Sequence, residues 1–200
     1  MCLFHGTCNV CTIFSFDGSN KEFLFYRKRA VQQFDKPAFQ DSRGFIWVAT
    51  EYGLNCFDGL NFSNYRHVPN DSVSLTSDYV RTLFEDSRQN LLIGCINGLM
   101  VYNRETDTFR EIPMIRAGKR VFPHITQMQK LHNGEIWVVT TGQGIFRLDE
   151  EKQQAESIDA IMRQVNYNFL SNLYEDSDYN IWIGTEGHGP VSYTHLTLPT

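Results

Sequence analysis

The sequence lacks several features that would define common classes of protein. In a chain of 200 residues, no apolar run approaches the roughly 18 residues of a membrane-spanning helix. Positive charge is not in excess, since 18 Lys and Arg stand against 23 Asp and Glu, for a formal net charge of −5. This balance argues against a basic surface for nucleic acid or anionic membranes. The first residues lack the positive start and apolar core of a signal peptide.

The cysteines do not form a recognisable metal or disulfide pattern. There are five, an odd number. Cys8 and Cys11 have the spacing of half a zinc site or of a redox pair, but no second such pair, His-rich cluster or βαβ pattern follows. We therefore predict no metal site and no cofactor. Cys56 and Cys95 lie within apolar strand patterns and are predicted to be small buried thiols.

What the chain does contain is a repeat. The segment Asp-Ser-Asp-Tyr-Asn-Ile-Trp-Ile-Gly-Thr at 176–185 has earlier counterparts at 41–50, 86–95 and 131–140. Successive copies are spaced by 45 residues, and all three tryptophans, Trp47, Trp137 and Trp182, occupy one phase of the repeat. A fixed period of this length is typical of an array in which each repeat is one supersecondary unit.

The second copy shows most clearly what this unit is. Its β-branched and aromatic runs predict four short strands, at 80–85, 91–93, 99–102 and 108–112. Polar turns at 86–90 and 104–107 and the hairpin signal Asn97-Gly98 separate these strands. Pro113 lacks the amide donor that would continue the pairing. Four short antiparallel strands in one 45-residue period indicate a β-propeller blade.

The other copies follow the same plan, so we predict an all-β fold: a β-propeller of about three and a half four-stranded blades, in a partial ring. The predicted repeats cover about 37–77, 78–123, 124–168 and 169–189. Residues 1–36 form a poorly defined N-terminal segment, in which 23–26 could be a strand. A helix-compatible stretch at 150–163 is assigned by its repeat phase to an outer turn and strand.

The last residues depart from the repeat. Residues 191–200, Val-Ser-Tyr-Thr-His-Leu-Thr-Leu-Pro-Thr, closely resemble translated adapter DNA used in sequencing libraries. We therefore predict that 190–200 is a non-native tail and exclude it from the search for a site.

The motif at 41–54, Asp-Ser-Arg-Gly-Phe-Ile-Trp-Val-Ala-Thr-x-x-Gly-Leu, resembles the two-component-regulator propeller repeat. The segment at 65–75 resembles the connection between blades in such sensors, and the resemblance covers 37–189. The chain departs from the pattern at Leu92, at Ala49 and Cys95 in the Gly-Thr positions, and at Leu131-His132, which lacks the acidic turn. We interpret these departures as variations of core and turn.

The resemblance implies a function that composition does not. Propellers of this kind form the sensory part, outside the cytoplasmic membrane, of hybrid two-component regulators common in gut Bacteroidetes. Paired propellers are followed there by an immunoglobulin-like domain, a membrane helix, a histidine kinase and often a receiver and DNA-binding domain. Many respond to oligosaccharides released from glycans.

The recurring residues have both structural and functional interpretations. We expect the tryptophans to pack between blades, with a sugar-stacking platform as the alternative. The Gly-Thr pair predicts a close-packing glycine and a strand threonine. Asp41, Asp86 and Asp176 are expected to cap turns, because the spacing of a calcium loop is missing.

The glycine-rich and histidine positions give no firm catalytic site. Residues 142–144 and 187–189 do not follow a strand-to-helix phosphate pattern. His124, His132 and His188 fall at strand edges or turns. His188 could act as a general base at the propeller mouth, although a surface role is the simpler interpretation. No nucleophile elbow, zinc pair or carboxylate pair is recognisable, so no catalytic, cofactor or metal residues are assigned and the ligand-binding residues stay unknown.

We therefore expect a periplasmic, non-enzymatic sensor fragment that recognises an oligosaccharide or another small ligand and controls a histidine kinase. Its expected partners are the remaining blades, the kinase module and a second copy in a homodimer, but no nucleic acid. The alternatives are a propeller lyase or hydrolase resembling streptogramin lyase, and a propeller that only binds proteins. Because half a ring leaves sheet edges and faces bare, we also predict poor solubility or self-association of the isolated chain.

Overall fold

The computed structural model describes residues 38–165, 169–186 and 191–193. Their backbone forms seventeen strands and one short helix. In chain order these are β1 Ala38–Gln40, β2 Ile46–Thr50, β3 Gly53–Phe57, β4 Phe62–Tyr65, β5 Val80–Glu85, β6 Leu91–Cys95, β7 Gly98–Asn103, β8 Thr108–Ile112, β9 Met114–Arg116, β10 Lys119–Val121, β11 His124–Lys130, β12 Ile136–Thr141, β13 Gly144–Asp149, β14 Gln154–Ser157, α1 Asp159–Val165, β15 Leu170–Glu175, β16 Ile181–Thr185 and β17 Val191–Tyr193.

The first two blades are simple four-stranded meanders. Strands β1 to β4 form the first sheet and β5 to β8 the second, each in sequence order with antiparallel neighbours. Strands β6 and β7 meet in a tight hairpin where Cys95 pairs with Gly98, which has a φ of 126°. Glycine tolerates this positive φ, so the hairpin and the four strands predicted for the second copy are confirmed.

The third blade has six strands instead of the predicted four. Its meander of β11 to β14 is extended by β14 pairing in parallel with β9, and β9 pairs in turn with β10. Pairing within the second blade stops at Pro113 as predicted, because β8 ends at Ile112, and the residues after Pro113 pair with the third blade instead. Proline has no amide donor, but the Pro113 carbonyl accepts a hydrogen bond from Ala155 N–H at 2.9 Å.

Both described connections between full blades protect an outer sheet edge. In the connection before the second blade, the Val73 carbonyl accepts from Phe109 N–H, on β8, at 2.8 Å. In the next connection, β9 covers β14. An uncovered outer strand would present unpaired backbone groups to other chains, so the linkers limit edge-to-edge association.

The prediction of a turn and strand over 150–163 was only partly correct. Residues 154–157 form β14, but the chain then turns into α1. Ile161 and Met162 of α1 are buried against the core between the third and fourth blades. Asp159 in the first turn and Arg163 in the last suit the helix dipole. Tertiary burial thus overrides the repeat phase at this connection.

The fourth blade contains three described strands, β15, β16 and β17. The backbone of Val191–Tyr193 pairs with β16, at the position where the repeat requires a third strand. The pairing concerns the backbone alone, and the assignment of 190–200 as a non-native tail stays a prediction. The N-terminal segment, including 23–26, lies outside the described residues.

The core consists of layers between successive blades. Each strand presents one face to the blade before it and the other to the blade after it, as the alternation of side chains along a strand requires. Leu91 and Ile93 pack towards the first blade, whereas Leu92 packs towards the third. At Gly94 an added Cβ would lie 2.5 Å from Thr82 Cγ2 and 2.7 Å from Ile125 Cγ2. The predicted close-packing glycine is confirmed here.

The described sheets do not close on one another. The fold is all-β apart from α1, and its four blades form a partial ring, as predicted. Among the described residues, no helix combines the length and apolar character required to span a bilayer.

Candidate ligand-binding site

The Asp41 side chain organises the turn between β1 and β2. Its Oδ1 accepts backbone N–H groups of Arg43 and Phe45 at 3.0 and 2.9 Å. Its Oδ2 accepts the Trp47 indole N–H and an Arg104 guanidinium N–H, both at 2.8 Å. Burial raises the pKa of Asp41, but these donors outweigh it and hold the pKa below its usual value.

The same cap recurs in the second and fourth blades. The Asp86 carboxylate accepts hydrogen bonds from the backbone N–H groups of Arg88 and Asn90. Leu92 replaces the tryptophan in this copy and has no N–H to donate, and the Asn90 side chain donates to Asp86 instead. Asp176 accepts the Trp182 indole N–H at 2.8 Å. Hydrogen bonds from the Trp182 and Asn180 side chains lower the pKa of Asp176 to about 2. The interpretation of these aspartates as turn caps is confirmed.

The third blade achieves the cap by another route. Leu131 cannot accept hydrogen bonds, and the Asn133 side chain instead accepts the Glu135 N–H at 3.0 Å. The Trp137 indole N–H then donates to Glu135 at 2.9 Å. Asn133 and Glu135 thus accept hydrogen bonds of the kind that the aspartate accepts in the other copies, and the turn is formed without it.

The tryptophans of the first and third blades, Trp47 and Trp137, pack against the blade that follows them. Trp47 and Trp137 are each 1% exposed. The Trp47 ring meets Tyr102 of the second blade edge-on, with centroids 5.0 Å apart. Trp182, on the fourth blade, is 42% exposed. The packing interpretation is confirmed for Trp47 and Trp137, because an indole buried between blades cannot serve as a sugar platform.

A second set of hydrogen bonds joins the turns of the first three blades to the next blade. Ser42 donates its N–H and hydroxyl to Glu85 at 2.8 and 2.9 Å. His132 N–H donates to Glu175 at 2.8 Å, and His132 Nδ1 also contacts this carboxylate. In the third blade, Lys130 stands at the repeat position of Glu85 and Glu175 and cannot accept such bonds. Ser87, in the turn of the second blade, donates instead to Glu150 of the third blade.

His124 lies close to charged groups of two other blades. It begins β11, where Arg81 of the second blade and Glu186 of the fourth act on it electrostatically. Burial and the Arg81 charge lower the pKa of His124, and Glu186 opposes them. The Nε2 atom is buried and has no hydrogen-bond partner within the described part of the chain. The sequence located this histidine at a strand edge, but could not show its neighbours.

The remaining sequence candidates do not form a catalytic or metal centre in the described residues. Residues 142–144 form the hairpin turn between β12 and β13, with no helix start after it. The side chains of 187–189, including His188, and the Cys8–Cys11 pair lie outside the described residues. Within the described ranges, no three metal-ligating side chains of His, Cys, Asp or Glu cluster together.

Cys56 and Cys95 are buried free thiols, as predicted. Burial raises the pKa of each thiol to about 12. Both groups therefore stay protonated at neutral pH, and neither is suited to nucleophilic chemistry.

A cleft of about 690 Å³ lies around one end of the second blade. Four arginines line it, together with amide and hydroxyl side chains and a single carboxylate, Glu105. We call this surface the arginine cleft. Its arginines are Arg43, Arg88, Arg104 and Arg110. The cleft combines these polar groups with the apolar side chains of Val73, Val101 and Phe109, and such a mixture is typical of sites for small organic ligands.

Four elements position these arginines. Arg43 and Arg88 occupy equivalent positions in the caps of Asp41 and Asp86, Arg104 lies in the turn after β7, and Arg110 lies on β8. Sequence reasoning missed this cleft. The recurrence of Asp-Ser-Arg at 41–43 and 86–88 was the signal that could have indicated it.

Two of the four guanidinium groups have no acidic partner among the described residues. Arg104 donates to Asp41 and lies 3.4 Å from Glu85. Arg88 lies 3.9 Å from Glu151 in an exposed pair, which contributes little. Arg110 donates a hydrogen bond to the neutral amide of Gln153 at 2.9 Å. The Arg43 guanidinium makes no hydrogen bond or ion pair with the part of the chain that the structure describes.

A smaller cavity of about 430 Å³ lies between the connection before the second blade and β7. It contains Leu75 and Met100 with the carboxylates of Asp71 and Glu111. With fewer convergent donors and a smaller volume, it is a weaker candidate for a polar ligand.

Comparison with known proteins agrees with the repeat assignment. Residues 164–187 match the family model described as two component regulator propeller. This match confirms the resemblance inferred from the 45-residue motif and falls on its fourth copy. No curated protein matches the chain.

Solved structures show the same fold. The extracellular domain of BT4673 from B. thetaiotaomicron, described as a hybrid two component system, has a TM-score of 0.68 and 22% identity, over 78% of this chain and 23% of that one. The corresponding domain of BT3049 gives 0.61 and 20%, over 88% and 25%. PorZ, a surface component of type-IX secretion in Porphyromonas gingivalis, gives 0.57 and 15%, over 78% and 25%. The chain thus spans about a quarter of these proteins.

Proposed function

We propose that this chain is part of the ligand-sensing propeller of a two-component signalling receptor. The observation that carries the proposal is the two component regulator propeller match at 164–187, in phase with three further copies of the same motif. The likeness to extracellular domains of hybrid two component systems supports it as an analogy of fold. Fold alone does not determine function, so the ligand has to be argued from the site.

The ligand proposed is an oligosaccharide, and the arginine cleft is the proposed site. Saccharide hydroxyls need many directional polar partners, and Asn90, Asn103 and Gln153 line the cleft beside its arginines. The cleft also joins side chains of the first, second and third blades. A ligand that contacts several blades at once favours one arrangement of them, which is the differential binding that a sensor requires.

We further propose that the sensor lies outside the cytoplasmic membrane, in the periplasm, and acts without catalysis. Binding would shift the packing of a homodimer and, through it, a histidine kinase module of the same receptor. The non-enzymatic assignment rests on the chemistry of the cleft. Besides arginine, amide and hydroxyl groups, the cleft lining contains a single carboxylate, Glu105, whereas most glycoside hydrolases use a pair of carboxylates.

The proposal is tested by calorimetric titration of the full chain with a panel of neutral and acidic oligosaccharides. Ser72→Trp places a bulky side chain in the cleft, and Ser63→Trp places the same side chain on the exposed outer strand of the first blade. We expect one class of oligosaccharide to bind, Ser72→Trp to abolish its binding, and Ser63→Trp to leave it unchanged. Absence of binding by every oligosaccharide would contradict the proposed function.

A further inference from the structure

The charge balance within the arginine cleft is opposite to that of the whole chain. The chain carries a formal net charge of −5, yet the residues that line the cleft include four arginines and one carboxylate. Two carboxylates outside the lining, Asp41 and Glu85, offset the charge of Arg104. The charge of Arg88 is offset weakly, by the exposed Glu151. The remaining positive charge is concentrated at Arg43 and Arg110.

We propose that the arginine cleft binds an acidic oligosaccharide, with Arg43 and Arg110 receiving carboxylate or sulfate groups of the sugar. This proposal rests on the proposed sensor function and adds the chemical class of its ligand. Guanidinium groups donate two parallel hydrogen bonds to a planar carboxylate or to a sulfate, and they do so without a large cost of desolvation.

The two arginines differ in how firmly the fold holds their side chains. The Gln153 amide holds one Arg110 nitrogen at 2.9 Å and leaves the other donors of that guanidinium available. The Arg43 side chain is exposed, while hydrogen bonding of its backbone N–H to Asp41 fixes the turn that carries it. Arg110 is thus the oriented contact, and Arg43 is the adaptable one.

The cleft as a whole favours a saccharide over a simple anion. Its volume of about 690 Å³ greatly exceeds that of a sulfate ion. The amide side chains between the arginines offer both donors and acceptors, which match hydroxyl groups rather than anionic oxygens. A negatively charged chain with a short arginine-lined cleft also gives little support for nucleic-acid binding, which requires an extended basic surface.

The test compares two double variants of the full chain that remove the same formal charge. Arg43→Gln/Arg110→Gln removes the two uncompensated guanidinium groups of the cleft. Lys119→Gln/Lys130→Gln removes two exposed cations that do not line it. The probes are tetragalacturonate, a sulfated tetrasaccharide, neutral cellotetraose, inorganic sulfate and a single-stranded DNA dodecamer, with binding measured by calorimetry at fixed salt.

We expect tetragalacturonate or the sulfated tetrasaccharide to bind, and the probe that binds identifies the anionic group. The arginine double variant should weaken that binding by about tenfold or more, and the lysine double variant by about twofold or less. Arg43→Lys/Arg110→Lys, which keeps the charge but not the paired donors, should recover part of the affinity. Unchanged thermal melting of each variant shows that the fold is retained.

Several outcomes would overturn the inference. Binding of cellotetraose with no preference for acidic probes would exclude the acidic class but retain a saccharide sensor. Equal loss of affinity in both double variants would show a non-specific charge effect. Binding of DNA or sulfate without any saccharide would contradict both the inference and the proposed function.

Discussion

The indole nitrogen of Trp47 lies 2.8 Å from a carboxylate oxygen of Asp41, six residues earlier. This hydrogen bond joins two recurring positions of the repeat, and Trp182 makes the same bond to Asp176 at 2.8 Å. A tryptophan of this repeat therefore has two roles. Its ring fills the space between blades, and its N–H fixes the turn at the start of its own strand.

We expect Trp47→Phe to lower the free energy of unfolding by about 2 to 3 kcal/mol, the value of a hydrogen bond to a buried charged group. The Asp41 carboxylate would lose its indole donor while staying buried. Trp182→Phe is the matched control, because it removes the same bond from an indole that is 42% exposed. Urea denaturation of both variants measures the difference, and equal losses would refute a special role for burial.

Trp182→Phe should also raise the pKa of Asp176. The Trp182 indole is the main cause of the pKa of about 2, followed by the Asn180 amide. A carboxyl group with a depressed pKa in the folded state stabilises the fold above its unfolded pKa near 3.8. That contribution disappears as the pH falls towards 2. NMR titration of the Asp176 carboxyl carbon measures the change, and an unaltered titration in the variant would disprove the assigned cause.

His124 predicts a second pH dependence with a different origin. Burial and Arg81 keep its pKa below the usual value of 6.5, so the folded state resists its protonation. The unfolded state then binds more protons just below pH 6.5. Stability is complete above that pH and falls as the pH drops through 6.5 towards the folded pKa. Thermal melts between pH 7 and 5 should show a smaller decline for His124→Gln than for the parent chain. An identical decline would exclude His124 as the source.

Cys56 and Cys95 should resist thiol reagents in the folded protein. Their pKa values of about 12 leave almost no thiolate at pH 8, and both side chains are buried. Mass spectrometry after iodoacetamide treatment should find both residues unmodified in native buffer and modified in denaturant. Fast native labelling of either residue would show that the blades around it open.

Features set by local sequence were predictable. The 45-residue phase located the blades, and Asp, Ser and Gly in the turns marked where strands end. The capping role of Asp41 followed from its own neighbours along the chain. The buried state of Cys56 and Cys95 followed from the apolar strands that contain them.

Features set by distant partners were not predictable. The β9–β10 extension forms because β14 offers an open edge, and α1 forms because Ile161 and Met162 find a core between two blades. The residues of the arginine cleft lie in separate turns and strands that only the fold brings together. Nothing in the local pattern at Arg104 indicates that it reaches Asp41, 63 residues earlier.

The measurement that tests the central claim most directly is the sequence of the intact gene across both ends of this chain. The sensor assignment predicts an open reading frame with further 45-residue repeats, followed by a membrane helix and a histidine kinase. The same frame should replace residues 191–200 with a regular continuation of the repeat. A stop codon soon after a completed ring, with a secretion signal upstream, would contradict the receptor and indicate a secreted propeller.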